Sequence, residues 1–160
     1  MKNLDHFDKL ILGILQKDNL TPQRDIGEHI GLSAAAVQRR IKRMREKGII
    51  KADVSVINID ELKHSITLIV EVFLESDKIS LVDQMKKVFI STPEVQQCYY
   101  VTGEADFVLV IVVPSMKDYE QLTRKIFYNT NNIKHFKTLV SMDTMKSSLE
   151  IPLSILNQLE

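Results

Sequence analysis

Residues 23–46 read QRDIGEHIGLSAAAVQRRIKRMRE, and this stretch decides the predicted fold of the first third of the chain. It predicts two helices joined by a tight break. Apolar residues at i, i+4 mark the inner edge of the first helix, and Gly31 ends it where a positive φ is needed. Ser33 then caps a second helix, expected over residues 34–47.

The second helix has the two faces of a DNA recognition helix. Val37, Ile41 and Met44 recur at i, i+4 and i+7 and form its buried side, while the opposite side carries small residues near the N-terminus and long cationic residues further on. In a helix-turn-helix the second helix enters the major groove, where Gln suits adenine and Arg suits guanine. The predicted DNA contacts are Ala35, Gln38, Arg39, Arg40, Lys42, Arg43 and Arg45.

The alternative is a solvated basic face on an ordinary helix, and the distribution of charge argues against it. The formal net charge of the 160 residues is zero. Residues 1–51, however, hold 11 Lys and Arg against 6 Asp and Glu, which leaves 10 against 15 for the rest of the 21 of each. A basic N-terminal part beside an acidic remainder predicts a domain that binds double-stranded DNA joined to one that binds something else.

Composition limits the cellular setting. No apolar run approaches the roughly 20 residues of a membrane-spanning helix, and the charged N-terminus is unlike a secretory signal. The one cysteine, Cys98, has no partner for an internal disulfide, which fits a reducing compartment. These features predict a cytoplasmic protein that does not bind membranes.

Helical periodicity places another helix before the pair, on an apolar stripe that includes Leu4, Phe7 and Ile11. After Gly48, residues 49–51 and 54–57 predict two short strands, a wing. The predicted domains are therefore a winged helix-turn-helix over residues 1–57, a polar linker over 58–64 and a second domain over 65–160.

From Ser65 the pattern changes to strands alternating with amphipathic helices in the order βαββαβ. This order predicts an α+β chain whose C-terminal domain is a ferredoxin-like (RAM/ACT-like) plait, with both helices on one face of a four-stranded antiparallel sheet. Ile69, Val101 and Val140 are too apolar for an open sheet face, so we expect a second subunit to cover it. The apolar tail from Ile151 is expected to pack rather than to be disordered.

Catalytic and metal-binding constellations are missing from the sequence. The four histidines, His6, His29, His64 and His135, are scattered, and none has the spacing of a metal site. Cys98 lies in a predicted buried strand without an evident activating base. No phosphate-binding glycine loop or nucleophile motif occurs, so neither an enzyme nor a cofactor is expected.

The chain resembles the Lrp/AsnC (feast/famine) family of transcriptional regulators over nearly its full length. The resemblance rests on three stretches, LDHFDKLILGILQKD at 4–18, IGLSAAAVQRRIKRMREKGIIK at 30–51 and YYVTGEADFVLVIVV at 99–113. It implies a winged helix-turn-helix that binds DNA, and a C-terminal domain that forms dimers, often assembled into octamers, and binds a free amino acid between subunits.

Carried onto this chain, the resemblance places the effector at the loop between the second and third plait strands. The implied ligand-binding residues are Tyr99, Tyr100, Val101, Thr102, Gly103, Glu104 and Asp106, facing Thr138, Leu139, Val140 and Ser141 of a neighbouring subunit. Gly103 would let backbone N–H groups approach a carboxylate, and Asp106 would pair an ammonium. The plain alternative is a hairpin glycine and a turn aspartate. Aliphatic side chains around the loop favour leucine or methionine.

Two other functions remain open at this level. One is an architectural DNA-binding protein that is largely independent of any ligand. The other is an amino-acid-binding regulatory subunit of a metabolic enzyme, which leaves the basic helix without a role.

Overall fold

The computed structural model describes residues 4–58, 61 and 65–158. The chain divides into two compact units, one made of Met1–Val56 with Lys146–Glu160 and the other of Ile57–Met145. The division assigns residues 146–160 to the first unit, whereas the sequence predicts them as part of a second domain over 65–160. Most of the predicted linker lies outside the described residues.

Three helices form the framework of the first unit, as the sequence predicts: α1 (His6–Leu15), α2 (Gln23–Ile30) and α3 (Ala34–Glu46). Each helix contributes from its apolar stripe to one buried core, made of Ile11, Ile26, Val37, Ile41 and Met44. Asp5 caps α1, and its carboxylate accepts the N–H of Asp8 at 3.0 Å. Helix α1 therefore begins where its local capping residue directs.

The predicted wing strands are not formed. Over the described residues 47–58 the backbone is in turns and irregular structure, and the side chains of residues 51–58 are exposed. Ile49 and Ile50 do pack against the helical core. Two strands of three and four residues make a ribbon that is only marginally stable by itself, which explains the irregular conformation.

The C-terminal segment completes the first unit. A short helix, α6 (Leu153–Asn157), packs near α1, and Leu156 is buried. The side-chain amide of Gln16 donates to the carbonyl of Ile151 at 2.9 Å, and its oxygen accepts the Ile151 N–H at 3.1 Å. The apolar tail is thus a packing segment of the helical unit.

The second unit has the predicted βαββαβ order. Its elements are β1 (Ile66–Leu74), α4 (Ile79–Ile90), β2 (Val95–Tyr100), β3 (Phe107–Val113), α5 (Met116–Thr123) and β4 (Ile133–Val140). A single π-helical turn, Arg124–Tyr128, continues α5. The strands pair antiparallel in the order β2-β3-β1-β4, the topology of the ferredoxin-like plait.

One face of the sheet carries both helices. Alternate residues of β1 and β3 pack with α4 and α5 in a single core that includes Leu68, Leu109, Met85 and Leu122. Successive side chains of a strand point to opposite faces, so the residues between these core positions lie on the other face of the sheet. No element of the described unit covers that face.

Apolar side chains remain on the uncovered face. Ile69 is 38% exposed and pairs across the sheet with Leu139, which is 43% exposed. Val140, expected on the same face, instead pairs with the core residue Leu68 and so lies on the helix side. The expectation for Val140 was therefore wrong by one residue of strand register, which is enough to reverse the face.

Candidate DNA-binding surface and effector loop

Helix α3 is held so that one side is buried and the other is free. Gly31 ends α2 with φ +76°, and the hydroxyl of Ser33 accepts the N–H of Ala36 at 3.2 Å. Burial of Val37 and Ile41 turns the opposite side to solvent. The turn at Gly31 and the cap at Ser33 therefore leave one side of α3 open to solvent.

That exposed side brings several predicted DNA contacts together. Ala35, Gln38, Arg39 and Lys42 are all exposed. A surface groove of about 510 Å³ is lined by Gln23, Gln38, Arg39, Lys42, Arg45 and Glu46. Amide and cationic side chains thus share one open surface, as a helix that reads the major groove requires.

Arg40 and Arg43 line a second surface groove together with Arg39, and each of the two pairs with Asp8 of α1. Nη1 of Arg40 donates to Oδ1 of Asp8 at 3.0 Å, and Nη2 of Arg43 makes a short contact with Oδ2 of the same carboxylate. Arg40 also pairs with Asp5, and its guanidinium lies 5.5 Å from the centre of the Phe7 ring. Two of the predicted DNA contacts, Arg40 and Arg43, are therefore paired with a carboxylate inside the protein.

The sequence interpretation missed Asp8. A carboxylate on the apolar stripe of α1, between Phe7 and Ile11, was the signal that could have identified it. Arg45, a further predicted contact, pairs with Asp53 at 2.8 Å between Nε and Oδ2, but both side chains are partly exposed.

Two pKa values in this unit follow from the ion pairs. Burial acts to raise the pKa of Asp5, but the hydrogen bonds from Arg40 and from the N–H of Asp8, with the charges of Arg40 and Arg43, bring it below its ordinary value. The hydrogen bond to Asp5 raises the pKa of Arg40. Both shifts favour the charged forms.

The loop between β2 and β3 in the second unit is a hydrogen-bonded hairpin connection. The N–H of Val101 donates to the carbonyl of Asp106 at 2.9 Å, and the N–H of Asp106 donates to the carbonyl of Val72 at 2.9 Å. Oδ2 of Asp106 accepts the N–H of Leu74 at 2.7 Å. Asp106, which the sequence predicts as the partner of a ligand ammonium, therefore already uses one carboxylate oxygen to hold the loop against β1.

The tip of this loop is open. Thr102, Gly103 and Glu104 are exposed, and Gly103 has φ +136°, a conformation that favours glycine. Apart from its two chain neighbours, no described residue has an atom within 4 Å of where a Cβ on Gly103 would stand. Backbone groups at the tip are thus accessible to a ligand.

The tyrosines before the loop lie on opposite faces of the sheet. The hydroxyl of Tyr99 donates to Oε1 of Gln97 at 2.8 Å. Tyr100 packs against Phe107, and Nζ of Lys86 lies 4.9 Å from the centre of the Tyr100 ring. Within one chain the two side chains therefore do not share one pocket.

The predicted residues of β4 are likewise divided. Oγ1 of Thr138 lies 2.5 Å from the hydroxyl of Tyr119 on the helix side, whereas Leu139 is on the uncovered face. Burial raises the pKa of Tyr119 more than this hydrogen bond lowers it. Ser141 continues the strand through its N–H, which donates to the carbonyl of Thr67 at 2.9 Å.

Neither a metal site nor a membrane span is found in the described part of the chain. Over residues 4–58, 61 and 65–158, no group of three or more His, Cys, Asp or Glu side chains could hold a metal ion. Within the same ranges no helix has the length and apolar character to cross a membrane. Burial raises the pKa of the Cys98 thiol, which opposes its action as a nucleophile.

A basic helix in a helix-turn-helix, joined in one chain to a ferredoxin-like domain, defines a class of DNA-binding transcriptional regulators with a separate ligand-binding domain. Two family models match the chain: a winged helix-turn-helix DNA-binding domain over residues 4–51 and the Lrp/AsnC ligand-binding domain over residues 67–151. The chain belongs to the Lrp/AsnC family. It is a DNA-binding transcriptional regulator and not an enzyme.

Named relatives agree with this assignment. An uncharacterised regulator of the helix-turn-helix type from Sinorhizobium fredii is 41% identical over 152 residues, covering 95% of this chain and 90% of the relative. The leucine-responsive regulatory protein of Escherichia coli K12 is 28% identical over 147 residues, covering 92% of this chain and 90% of the relative. A transcriptional regulator of Neisseria meningitidis, solved as a complex with L-Met, has the same fold with a TM-score of 0.86 at 19% identity, over 96% of this chain and 99% of that one.

Proposed function

We propose that this regulator inserts the N-terminal half of α3 into the major groove and that a free amino acid, bound between subunits of the second unit, changes its DNA binding. The observation that carries the DNA part is the single exposed surface that groups Gln38, Arg39 and Lys42. Ala35 stands at the N-terminal end of this surface, where a small side chain lets the helix approach the base edges.

The proposed contact set is narrower than the sequence predicts. Ala35, Gln38 and Arg39 meet base edges, and Lys42 meets a phosphate. Arg45 joins them by exchanging its exposed pair with Asp53 for a phosphate, since such exposed pairs contribute little stability. Arg40 and Arg43 are left out because Asp8 holds them.

The amino-acid part rests on the open loop tip and on the match to a ligand-binding domain. A free amino acid offers a carboxylate to the backbone at Gly103 and an ammonium to the carboxylates of Glu104 and Asp106. Asp106 has one oxygen bound to Leu74 N–H, so its second oxygen serves the ligand. Of the predicted residues Thr138, Leu139, Val140 and Ser141, Leu139 lies on the uncovered face, so the proposed contribution of the neighbouring subunit is Leu139. Tyr99 and Val101 lie beside the loop on that face, and Thr102 lies at the loop tip.

Leucine and methionine are the favoured effectors. Val101 and Leu139 provide aliphatic surface, and the names of two relatives specify leucine for one and L-Met for the other. The assembly is a homo-oligomer, a dimer at least and in its full form an octamer built from dimers, that acts in the cytoplasm. An amino acid held by two subunits favours the assembly that brings those subunits together. Its binding thereby changes the spacing of the helix-turn-helix units and so the DNA sites that they can span.

A ligand-independent architectural protein is the second candidate. The hydrogen bond from Leu74 to Asp106 favours it, because this contact explains the aspartate by the fold alone. The two candidates differ in whether an amino acid alters DNA binding.

The deciding experiment is a titration of DNA from the protein's own upstream region at fixed salt, with and without each of the twenty amino acids. A change in affinity or in the size of the complex with leucine or methionine supports the sensor. Tight binding that none of the twenty changes supports the architectural protein, and the absence of any DNA binding rejects the α3 surface.

A further inference from the structure

Asp8 is a fully buried carboxylate in the first turn of α1. Burial of a charge is costly unless it is paired and hydrogen-bonded. Here both oxygens are used, since Oδ1 accepts from Arg40, and Oδ2 accepts from Arg43 and from the N–H of Asp5 at 3.2 Å. The buried acid is therefore fully satisfied by α3 and by its own helix start.

The cluster is balanced in charge. Asp5 and Asp8 face Arg40 and Arg43, so two carboxylates neutralise two guanidinium groups. The side chain of Arg40 is 23% exposed and that of Arg43 is 43% exposed. Arg39 and Lys42 are more open: Arg39 is exposed, and the one ion pair of Lys42 is a long, exposed contact of 3.8 Å with Glu46.

The same contacts determine how α3 is turned. Arg40 and Arg43 are three residues apart, so they lie on one side of the helix and reach the same carboxylate. A helix gripped at two points by one buried anchor cannot rotate about its axis without breaking a charged hydrogen bond. The contacts of Arg40 and Arg43 thereby fix the direction of the exposed Arg39, which stands one turn before Arg43, and of Lys42 next to it.

We infer that Asp8 is a positioning residue for DNA reading: by holding Arg40 and Arg43 it orients α3 and keeps both arginines off the phosphates. This inference rests on the proposed insertion of α3 into the major groove. It gives the internal ion pairs a role in specificity, because arginines released from Asp8 would bind the phosphates of any sequence.

The first test compares two neutralised cations on α3. Arg43→Gln and Lys42→Gln are titrated with upstream DNA and with a scrambled duplex of equal length over a range of salt concentrations. Each phosphate contact contributes about 0.9 to the slope of log K against log salt. Lys42→Gln should lower the slope by about that amount, and Arg43→Gln should leave it unchanged.

The outcomes separate this inference from the proposed function. If both variants lower the slope equally, Arg43 contacts DNA and the inference is overturned. If neither variant changes it, the proposed DNA surface itself is rejected. Gln retains hydrogen-bonding capacity toward Asp8, and Arg40 still neutralises the carboxylate, so Arg43→Gln should fold.

The second test releases both arginines together. Asp8→Asn should steepen the salt slope by about 0.9 for each arginine that reaches a phosphate, and it should reduce the ratio of upstream to scrambled affinity. Asp18→Asn is the matched control, because it removes the same charge while an amide oxygen can still accept the N–H of Leu20. An unchanged slope with a uniform loss of affinity in Asp8→Asn would show a merely structural role and overturn the inference.

Discussion

Gln16 and Ile151 are 135 residues apart in the chain, and the side-chain amide of the first is hydrogen-bonded to both backbone groups of the second. The glutamine amide supplies both the donor and the acceptor that a neighbouring strand would supply. It thereby satisfies the backbone hydrogen-bonding groups of an irregular segment. The contact places the C-terminal segment in the DNA-binding unit, so the stability of that unit depends on residues that follow the ligand-binding domain.

Truncation of a buried side chain in α6 should therefore destabilise the DNA-binding unit. Leu156 is 4% exposed, and Leu156→Ala should lower the free energy of unfolding of that unit by about 2 kcal/mol or more. Hydrogen exchange of the α1 amides is the measurement. Ile155→Ala, at an exposed position of the same helix, is the control and should change little; equal protection in both variants would contradict the packing role.

Arg39 should contribute to sequence discrimination. Removal of a bidentate contact to a base costs about 1–3 kcal/mol and relaxes specificity at that position. Arg39→Ala should therefore weaken binding to upstream DNA more than binding to a scrambled duplex. Lys87→Ala removes the same charge from α4 in the second unit and should affect neither affinity strongly. An equal loss on both duplexes would assign Arg39 to phosphate only.

Asp106 offers a variant that separates its two roles. In Asp106→Asn the amide oxygen can still accept the N–H of Leu74, but the charge that would pair an ammonium is lost. The affinity for leucine or methionine, whichever alters DNA binding in the titration of the twenty amino acids, should fall at least tenfold by calorimetry while thermal stability is nearly unchanged. Full affinity in this variant would move the ammonium site away from Asp106.

The uncovered sheet face should carry the subunit contact. Ile69→Glu places a charge among apolar side chains that a second copy would bury, so the oligomer should dissociate or weaken. Light scattering after size exclusion reports the mass. Ile90→Glu is the control, because Ile90 is exposed at the end of α4 and not on that face; a mass unchanged in both variants would place the interface elsewhere.

The ion pair of Asp5 predicts a pH dependence of stability. The folded-state pKa of Asp5 lies below its ordinary value of 3.8. Its contribution is therefore complete above pH 3.8 and is lost as the pH falls through the lower folded-state value. Asp5→Ser keeps a capping oxygen without the charge. The difference in melting temperature between wild type and Asp5→Ser should be constant near neutral pH and should shrink below pH 3.8. A difference that grew on acidification would contradict the sign of the shift.

Local pattern was sufficient for much of the architecture and for part of the site. Helices α1 to α3, the βαββαβ order and the exposed side of α3 follow from periodicity, from the Ser33 cap and from Gly31, because each depends on residues within about one turn or one strand. Predictions from the sequence pattern were wrong where the conformation of a segment depends on residues outside that segment. The wing strands did not form, and Val140 was expected on the uncovered face but lies on the helix side.

The amino-acid sequence by itself determined which surfaces exist: a basic helix side, an apolar sheet and an open glycine loop. Tertiary structure decided which side chains remain available on them. Asp8 holds arginines 32 and 35 residues away, Leu74 occupies one oxygen of Asp106, and the tail packs on α1. Such pairings depend on the register and crossing of distant elements, so an isolated cation on a helix and an arginine bound to a buried acid look alike in the sequence.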